Sequence, residues 1–297
     1  MNPLKFLLGV IRAPFLVLAP ACVLVGVGTA YWQMGSLNGW YVLLAFIGGL
    51  GAHISVNVFN EYFDFKSGLD SKTERTPFSG GSGTLQANPG LVRAALALGC
   101  LVLFITAAIG IFFVWKQGIS LLLPGLLGLF LTVTYTTLWV KNPFLSLLAP
   151  GLGFGILMVM GTHFALTGTY TWTAFWAALT PTFLVSNLLL LNQFPDVEAD
   201  RSIGRRHFPI RIGRKLSSRL YGLNFVLTYV SIVVGVIFHW LPAPALLALL
   251  TAFLAWKAFK CAQENAENIP ALVPSMGLNV IIVLVTPILL ALGLFFG

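Results

Sequence analysis

The chain alternates between long apolar runs and short polar segments. A helix needs about 20 apolar residues to cross the hydrocarbon core of a bilayer. The runs that approach this length are Phe15–Met34, Trp40–Asn60, Ala94–Trp115, Ile119–Trp139, Phe144–Leu166, Trp172–Phe194, Leu220–Trp240, Ala243–Lys260 and Met276–Phe296. The pattern therefore predicts an all-α polytopic membrane protein, with about nine transmembrane helices in one bundle and residues 1–297 as a single domain.

The composition agrees with this prediction. Hydrophobic residues make up 58% of the chain and charged residues only 9%, whereas a soluble domain is typically about 25% charged. The net charge of +8 raises nucleic acid as a partner, but no basic patch is interleaved with aromatic residues, so we expect no such partner. The 3 cysteines have no CxxC spacing, which argues against a disulfide framework or a cysteine metal site.

Positive charge is distributed unevenly among the polar segments. If the N-terminus is cytoplasmic, every Lys and Arg except Lys116 falls on the cytoplasmic side, as the positive-inside rule requires. The expected orientation is therefore N-terminus inside and C-terminus outside. The expected location is the cytoplasmic (inner) membrane of a bacterium.

Two parts of the chain look alike. The sequence RAPF leads into one apolar run and KNPF leads into another. Pro20 in the first run precedes Asp64 by 44 residues, and Pro150 in the second precedes Asp196 by 46. This predicts two four-helix repeats, roughly 12–140 and 141–261, followed by a final helix at 276–296. In such paired folds the site lies between the halves.

The acidic residues are concentrated in two segments. Carboxylates in a membrane protein are costly and usually face a cavity or bind a ligand. In the segment 192–206, NQFPDVEADRSIGRR, Asp196 and Asp200 are four residues apart and share a helix face. Two like charges so close need a cation between them, and Asp and Asn oxygens suit Mg²⁺. Asn192 is a further candidate ligand, although Pro195 interrupts the helix between it and the acids.

The earlier segment, NEYFDFKSGLD at 60–70, follows the same logic. Asn60 and Asp64 are four residues apart and share a helix face. If the helix ends at Ser67 and Gly68, Asp70 can return to the same ion. One or two divalent ions are compatible with this set of oxygens.

Basic residues and a glycine-rich loop flank the acids. Lys72 and Arg75 follow the first segment, and Arg201, Arg205 and Arg206 lie in the second. The sequence SGGSG at 79–83 can present backbone N–H groups to a phosphate. Acids for a metal, bases for phosphate and an apolar bundle together predict an isoprenyl diphosphate, bound as its Mg²⁺ complex at the cytoplasmic mouth of the bundle.

Other interpretations of the same residues stay open. Acids near helix ends, such as Glu198, can be solvated loop charges, and a single Lys or Arg can serve topology alone. An ion-coupled transporter would also use membrane carboxylates, but it predicts them near the middle of the spans. The acids here lie at one end of the second and sixth predicted helices, which favours an enzyme.

At these residues the chain resembles the UbiA-type intramembrane prenyltransferases. DVEADRSIGRR matches that family's DxxxD pattern with a trailing glycine and basic residue. NEYFDFKSGLD is similar to its NDxxDxxxD pattern, but Glu61 replaces the usual Asp and Asp70 comes two residues late. The longer spacing, followed by SKTERTPFSGGSG, resembles the branch that prenylates dihydroxynaphthoate in menaquinone biosynthesis. Tyr135 and Lys141 look like the family's Tyr…Lys element.

The resemblance implies Mg²⁺-dependent transfer of an isoprenyl group from a polyprenyl diphosphate to an aromatic acceptor in the lipid bilayer. The implied catalytic residues are Asp64, Asp196, Asp200 and Asn60. The implied Mg²⁺ ligands are Asn60, Asp64, Asp70, Asn192, Asp196 and Asp200. The implied diphosphate contacts are Lys72, Arg75, Arg206, Lys141 and Tyr135. Hydroxybenzoate, homogentisate, chlorophyllide or haem are alternative acceptors, and the oligomeric state stays open.

Overall fold

The protein is a bundle of apolar helices in the part of the chain that the computed structural model describes, residues 3–69, 72–73 and 75–297. The bundle helices are α1 (Ala13–Met34), α2 (Gly39–Ser67), α3 (Pro89–Gln117), α4 (Ile119–Thr134), α5 (Pro143–Thr167), α6 (Trp172–Asn192), α7 (Arg214–Ile237), α8 (Ala243–Glu264) and α9 (Ile269–Phe295). No strand occurs among these residues, so the prediction of an all-α protein is confirmed.

The predicted spans can now be compared with the helices. Within the described ranges, 8 helices are long and apolar enough to cross a membrane. The other one, α4, is a shorter apolar helix at the position of the fourth predicted span. That α4 crosses the bilayer, and that the N-terminus is cytoplasmic, stay predictions.

Helix α2 is longer than its apolar run. Its N-terminus is capped by the side chain of Asn38, which accepts hydrogen bonds from the backbone N–H groups of Trp40 and Tyr41 at 2.9 and 3.3 Å. It continues past the predicted end at Asn60 to Ser67, and Gly68 follows with φ of 74°. Glycine adopts this left-handed conformation without steric cost. The expected helix end at Ser67 and Gly68 is therefore confirmed, and the first acidic segment lies largely on α2 itself.

Helix α5 contains an irregular turn beside the interior cavity. Pro150 lacks a backbone N–H, and residues Leu152–Leu157 form a π-helical turn, a feature often found at functional sites. Gly155 packs directly on α6, because an added Cβ atom there would lie 1.9 Å from the hydroxyl oxygen of Thr182. The close approach of α5 and α6 leaves Phe154 to face the cavity described below.

Helix α6 lies at the centre of the bundle. It packs against α1, α5, α7 and α9, and its side chains Leu184, Leu190 and Leu191 are almost fully buried. A polar pair also fixes it to α7, since Asn224 donates a hydrogen bond to the side chain of Asn187 at 2.9 Å. The second acidic segment begins at the last residue of this central helix, Asn192.

Candidate active site

A cavity of about 450 Å³ opens beside both acidic segments. It is lined at one end by Asp64, Asp196 and Asp200, and at the other by Leu44 and Phe113. Asp64 and Leu44 are both on α2 and 20 residues apart, which corresponds to roughly 30 Å along a helix axis. The cavity therefore combines a charged mouth with a long, mostly apolar interior.

Arg205 joins the two acidic segments. Its guanidinium group donates one hydrogen bond to Asp64 and another, of 2.9 Å, to Oδ1 of Asp200. Burial alone would lower the pKa of Arg205, but the neighbouring carboxylates of Asp64 and Asp200 more than offset this effect and raise it above the usual value. Arg205 thus stays charged and holds the ends of α2 and α6 together.

Asp200 has a second partner. Asp196 precedes the short helix Val197–Ser202, and the backbone N–H of Asp200 donates to the carbonyl oxygen of Asp196 at 2.8 Å. The other carboxylate oxygen of Asp200, Oδ2, lies 2.8 Å from Nε2 of His207. Both Asp200 and His207 are almost fully buried. The arrangement fixes the orientation of the Asp200 carboxylate.

Two oxygens in the cavity wall fit a metal ion. Oδ1 of Asn192 and Oδ1 of Asp196 are buried and find no hydrogen-bond partner among the described residues, a costly state for a polar group unless a ligand occupies the site. Burial raises the pKa of Asp196 to about 7, and the negative charge of Asp200 adds to the effect. The described residues do not bring three His, Cys, Asp or Glu side chains together as a preformed metal cluster. Amide and carboxylate oxygens of this kind suit Mg²⁺, which keeps several waters.

Asn60 and Tyr135 also line the cavity. The side-chain amide of Asn60 donates to the hydroxyl of Thr136 at 3.1 Å. This bond links the first acidic segment to the residues that follow α4. Asp70, another predicted ligand, lies outside the described residues.

Apart from Tyr135, the predicted diphosphate contacts lie outside the cavity wall. The side chains of Lys72, Arg75, Lys141 and Arg206 are exposed and are not among the cavity-lining residues. Lys72 donates to the hydroxyl of Ser202 at 3.3 Å and so also connects the two acidic segments. The backbone N–H of Arg206 donates to the carbonyl oxygen of Val140 at 2.9 Å. Arg206 is therefore fixed through its backbone outside the cavity wall, whereas its neighbour Arg205 lines the wall.

Arg12 and His207 were not among the residues singled out from the sequence, and Arg205 was named there only as one of the basic residues that flank the acids. Arg12, Arg205 and His207 all line the cavity. Arg205 stands next to Arg206 in the sequence, so composition and spacing did not distinguish them. His207 directly follows the acidic segment, and that adjacency is the one signal that could have identified it.

The deeper cavity is shaped by small and aromatic residues. Added Cβ atoms at Gly125, Gly153 and Gly161 would meet nothing within 4 Å, and all three glycines line the cavity. The ring of His53 contacts that of Phe154 edge to face, with centroids 4.7 Å apart. The small side chains leave room for an extended apolar ligand.

Comparison with family models decides the relationship. The model of the UbiA prenyltransferase family matches residues 19–281. The chain belongs to the UbiA prenyltransferase family. The predicted superfamily and the prediction of a prenyltransferase enzyme are therefore confirmed, while the match says nothing about the dihydroxynaphthoate branch.

Solved structures of UbiA homologues share the fold. The apo structure of a UbiA homologue from Aeropyrum pernix K1 superposes with a TM-score of 0.72 at 19% identity, over 94% of this chain and 97% of that chain. A UbiA homologue from Archaeoglobus fulgidus, bound to DMAPP and Mg²⁺, gives 0.63 at 15% identity over 96% and 98%. A digeranylgeranylglyceryl phosphate synthase gives 0.70 at 16% identity, over 100% of both chains. A search of curated protein sequences finds no match.

Proposed function

We propose that this protein transfers an isoprenyl group from a polyprenyl diphosphate to an aromatic acceptor in the membrane, in a Mg²⁺-dependent reaction. The observation that carries the proposal is the meeting of Asp64, Asp196, Asp200 and Arg205 at one end of a long apolar cavity. Membership of the family and the A. fulgidus homologue bound to DMAPP and Mg²⁺ support it.

The metal would be held by oxygens of both acidic segments. Asp196 and Asn192 each offer an oxygen that no other described residue binds, and we assign Asn60, Asp64 and Asp200 to the same ion or to a second one. Asp70 remains a proposed ligand from the sequence. Bound Mg²⁺ would neutralise negative charge on the diphosphate and so make it a better leaving group.

The protein's own groups would assist ionisation of the substrate. When the allylic C–O bond breaks, its electron pair leaves with the diphosphate, and Arg205 and Arg12 are the cations of the cavity wall that stabilise this charge. Lys72, Arg75 and Lys141 would meet the outer phosphate oxygens. The apolar interior excludes water from the allylic cation. The acceptor ring then forms the new C–C bond and loses a proton, or CO₂ where a carboxylate is displaced.

We propose dihydroxynaphthoate, the acceptor of menaquinone biosynthesis, as the aromatic substrate. The support is the extended first segment together with the loop SGGSG at 79–83, of which Ser79, Gly80 and Gly81 line the cavity. The lysines and arginines of the predicted inside loops support an active site open to the bacterial cytoplasm. We also propose that the chain consists of two four-helix repeats, roughly 12–140 and 141–261, followed by the final helix at 276–296.

A panel of acceptors tests the reaction and the branch together. Purified protein in nanodiscs is incubated with Mg²⁺, a radiolabelled prenyl diphosphate and, separately, dihydroxynaphthoate, hydroxybenzoate, homogentisate, chlorophyllide or haem. Labelled lipid from dihydroxynaphthoate alone is the expected result. Label on a different acceptor would overturn the branch and retain the reaction. Transport of prenyl diphosphate or ions across vesicles without chemical conversion would support the transporter instead.

A further inference from the structure

Glu61 is a fully buried carboxylate that does not face the cavity. It directly follows Asn60, and neighbouring residues on a helix point about 100° apart. Asn60 lines the cavity, whereas Glu61 is absent from its wall and has no exposed surface. At this position the resemblance implies an Asp, but the Glu61 side chain of this chain does not line the cavity.

Glu61 binds two other segments at once. Its Oε1 atom accepts hydrogen bonds from Nε of Arg12 at 2.6 Å and from the backbone N–H of Ser82 at 2.8 Å. Its Oε2 atom accepts from the hydroxyl of Ser82, also at 2.8 Å. A buried charge is tolerated when it is paired and hydrogen-bonded in this way. One side chain of α2 thus ties down the residue before α1 and the glycine-rich loop.

Both tethered segments reach the mouth of the cavity. Arg12 lines its wall and has φ of 51°, a left-handed conformation that is uncommon for a residue with a side chain. In the loop, Ser79, Gly80 and Gly81 also line the wall. An unusual backbone conformation of this kind persists only where surrounding contacts hold it, and the Glu61 ion pair is one such contact.

The loop itself is compact, and a second arginine besides Arg12 packs on it. The hydroxyl of Thr76 accepts hydrogen bonds from the backbone N–H groups of Phe78 and Ser79 at 3.1 and 2.9 Å. Gly83 has φ of 71°, and an added Cβ atom there would lie 2.1 Å from Nη1 of Arg75. The guanidinium group of Arg75 therefore rests on the loop, so the position of the loop also sets the position of Arg75.

We propose that Glu61 is a positioning residue for diphosphate binding, an inference that rests on the proposed function. By holding Arg12 and the loop 79–83 at the cavity mouth, it presents two arginines and successive backbone N–H groups to the phosphate oxygens. Glu61 touches neither substrate nor metal. Its replacement weakens the binding of the prenyl diphosphate by releasing these groups, while the carboxylates of Asp64, Asp196 and Asp200 stay unchanged.

Binding of geranyl diphosphate with Mg²⁺ tests this role without any acceptor. We expect Glu61→Gln to raise the dissociation constant roughly tenfold, the effect of losing one charge-assisted contact. Ser82→Ala, which keeps the Arg12 ion pair, should raise it by a smaller factor. Glu264→Gln, at an exposed site, is the matched control and should bind like the parent protein. Ser82→Ala removes the hydroxyl contact with Oε2 of Glu61 and leaves the backbone N–H of residue 82 on Oε1, so it keeps the proposal testable if Glu61→Gln does not fold.

A labelling experiment separates positioning from a loss of fold. Ser79→Cys is introduced into protein in which Cys100 and Cys261 are replaced by alanine, and the remaining Cys22 is fully buried. Geranyl diphosphate with Mg²⁺ should protect Cys at position 79 from a maleimide when Glu61 is present, and should protect it several-fold less in Glu61→Gln. The melting temperature is measured alongside.

The outcomes distinguish this inference from the proposed function. Unchanged affinity and unchanged protection in both Glu61→Gln and Ser82→Ala would overturn the positioning role and leave the prenyltransferase proposal standing. A melting temperature that falls in Glu61→Gln while affinity stays at the parent value would assign Glu61 to stability alone. If the parent protein binds no prenyl diphosphate with Mg²⁺, the proposed function fails, and this inference fails with it.

Discussion

Arg205 donates a hydrogen bond to Asp64, a residue 141 positions earlier in the chain. The same guanidinium group binds Asp200, so it lies between the two acidic segments. The positive charge of Arg205 offsets the repulsion between the two carboxylates. The same group faces the space where a diphosphate would bind. The relationship shows how the two segments, distant in sequence, meet at one end of the cavity.

Replacing Arg205 is expected to weaken the binding of prenyl diphosphate. Hydrogen bonds to charged groups contribute about 1.5–3 kcal/mol, so Arg205→Ala should raise KM for the prenyl diphosphate by roughly 10- to 100-fold. Arg205→Lys should recover part of the loss, because lysine keeps the charge without the planar fork. Steady-state kinetics with varied prenyl diphosphate measures both variants.

The neighbouring arginine provides the comparison. The side chain of Arg206 is exposed, and its backbone N–H donates the hydrogen bond to the carbonyl oxygen of Val140. Arg206→Ala should therefore change KM for the prenyl diphosphate much less than Arg205→Ala. The reverse order would show that Arg206 is the diphosphate ligand and that Arg205 serves the fold.

His207 is expected to act through Asp200. Its Nε2 atom lies 2.8 Å from the carboxylate, and partners of a metal ligand typically change metal affinity by about 10- to 100-fold when they are lost. In His207→Ala, the Mg²⁺ concentration that gives half-maximal activity should therefore rise by about tenfold, while activity at saturating Mg²⁺ falls less. His239→Asn, at an exposed position, is the control. Equal Mg²⁺ dependence in both variants would remove His207 from this role.

Filling the interior should shorten the prenyl chain that the protein accepts. Gly125 lines the cavity with open space in front of it, and it lies 10 residues before Tyr135, roughly 15 Å along the helix from the charged mouth. Gly125→Leu should lower kcat/KM for a twenty-carbon prenyl diphosphate far more than for a five-carbon one. Competition between the two substrates in one reaction measures the ratio.

A control glycine makes that experiment specific. Gly39 also has open space in front of it but does not line the cavity, so Gly39→Leu should leave the ratio between the two substrates unchanged. A uniform loss for both chain lengths in Gly125→Leu would place the isoprenoid tail elsewhere.

The helices could be predicted from the sequence because a helix that crosses a bilayer must be a long apolar run. Each predicted span coincides with a helix, and Gly68 marked the end of α2 through its conformational freedom. The apolar run of this span ends at Asn60, seven residues before the helix itself ends at Ser67. Hydropathy falls where polar residues begin, whereas the helix continues as long as its backbone hydrogen bonds and tertiary contacts support it.

The site was accessible only in part. A spacing of four residues predicted that Asn60 and Asp64 share a helix face, and the same rule was applied to Asp196 and Asp200. All four residues line the cavity. The partnership of Arg205 with both segments depends on how α2 and α6 pack, which local spacing does not encode. The sequence also did not reveal the contacts of Glu61, because its partners Arg12 and Ser82 lie in separate parts of the chain.

The most direct test of the central claim is the binding of radiolabelled geranyl diphosphate to purified protein in nanodiscs, with Mg²⁺ or with EDTA. The account predicts saturable binding that requires Mg²⁺ and is strongly weakened in both Asp64→Asn and Asp196→Asn, since each removes one charge from the shared site. Binding that persists in EDTA, or that is unchanged in both variants, would contradict a single Mg²⁺–diphosphate site formed by the two acidic segments.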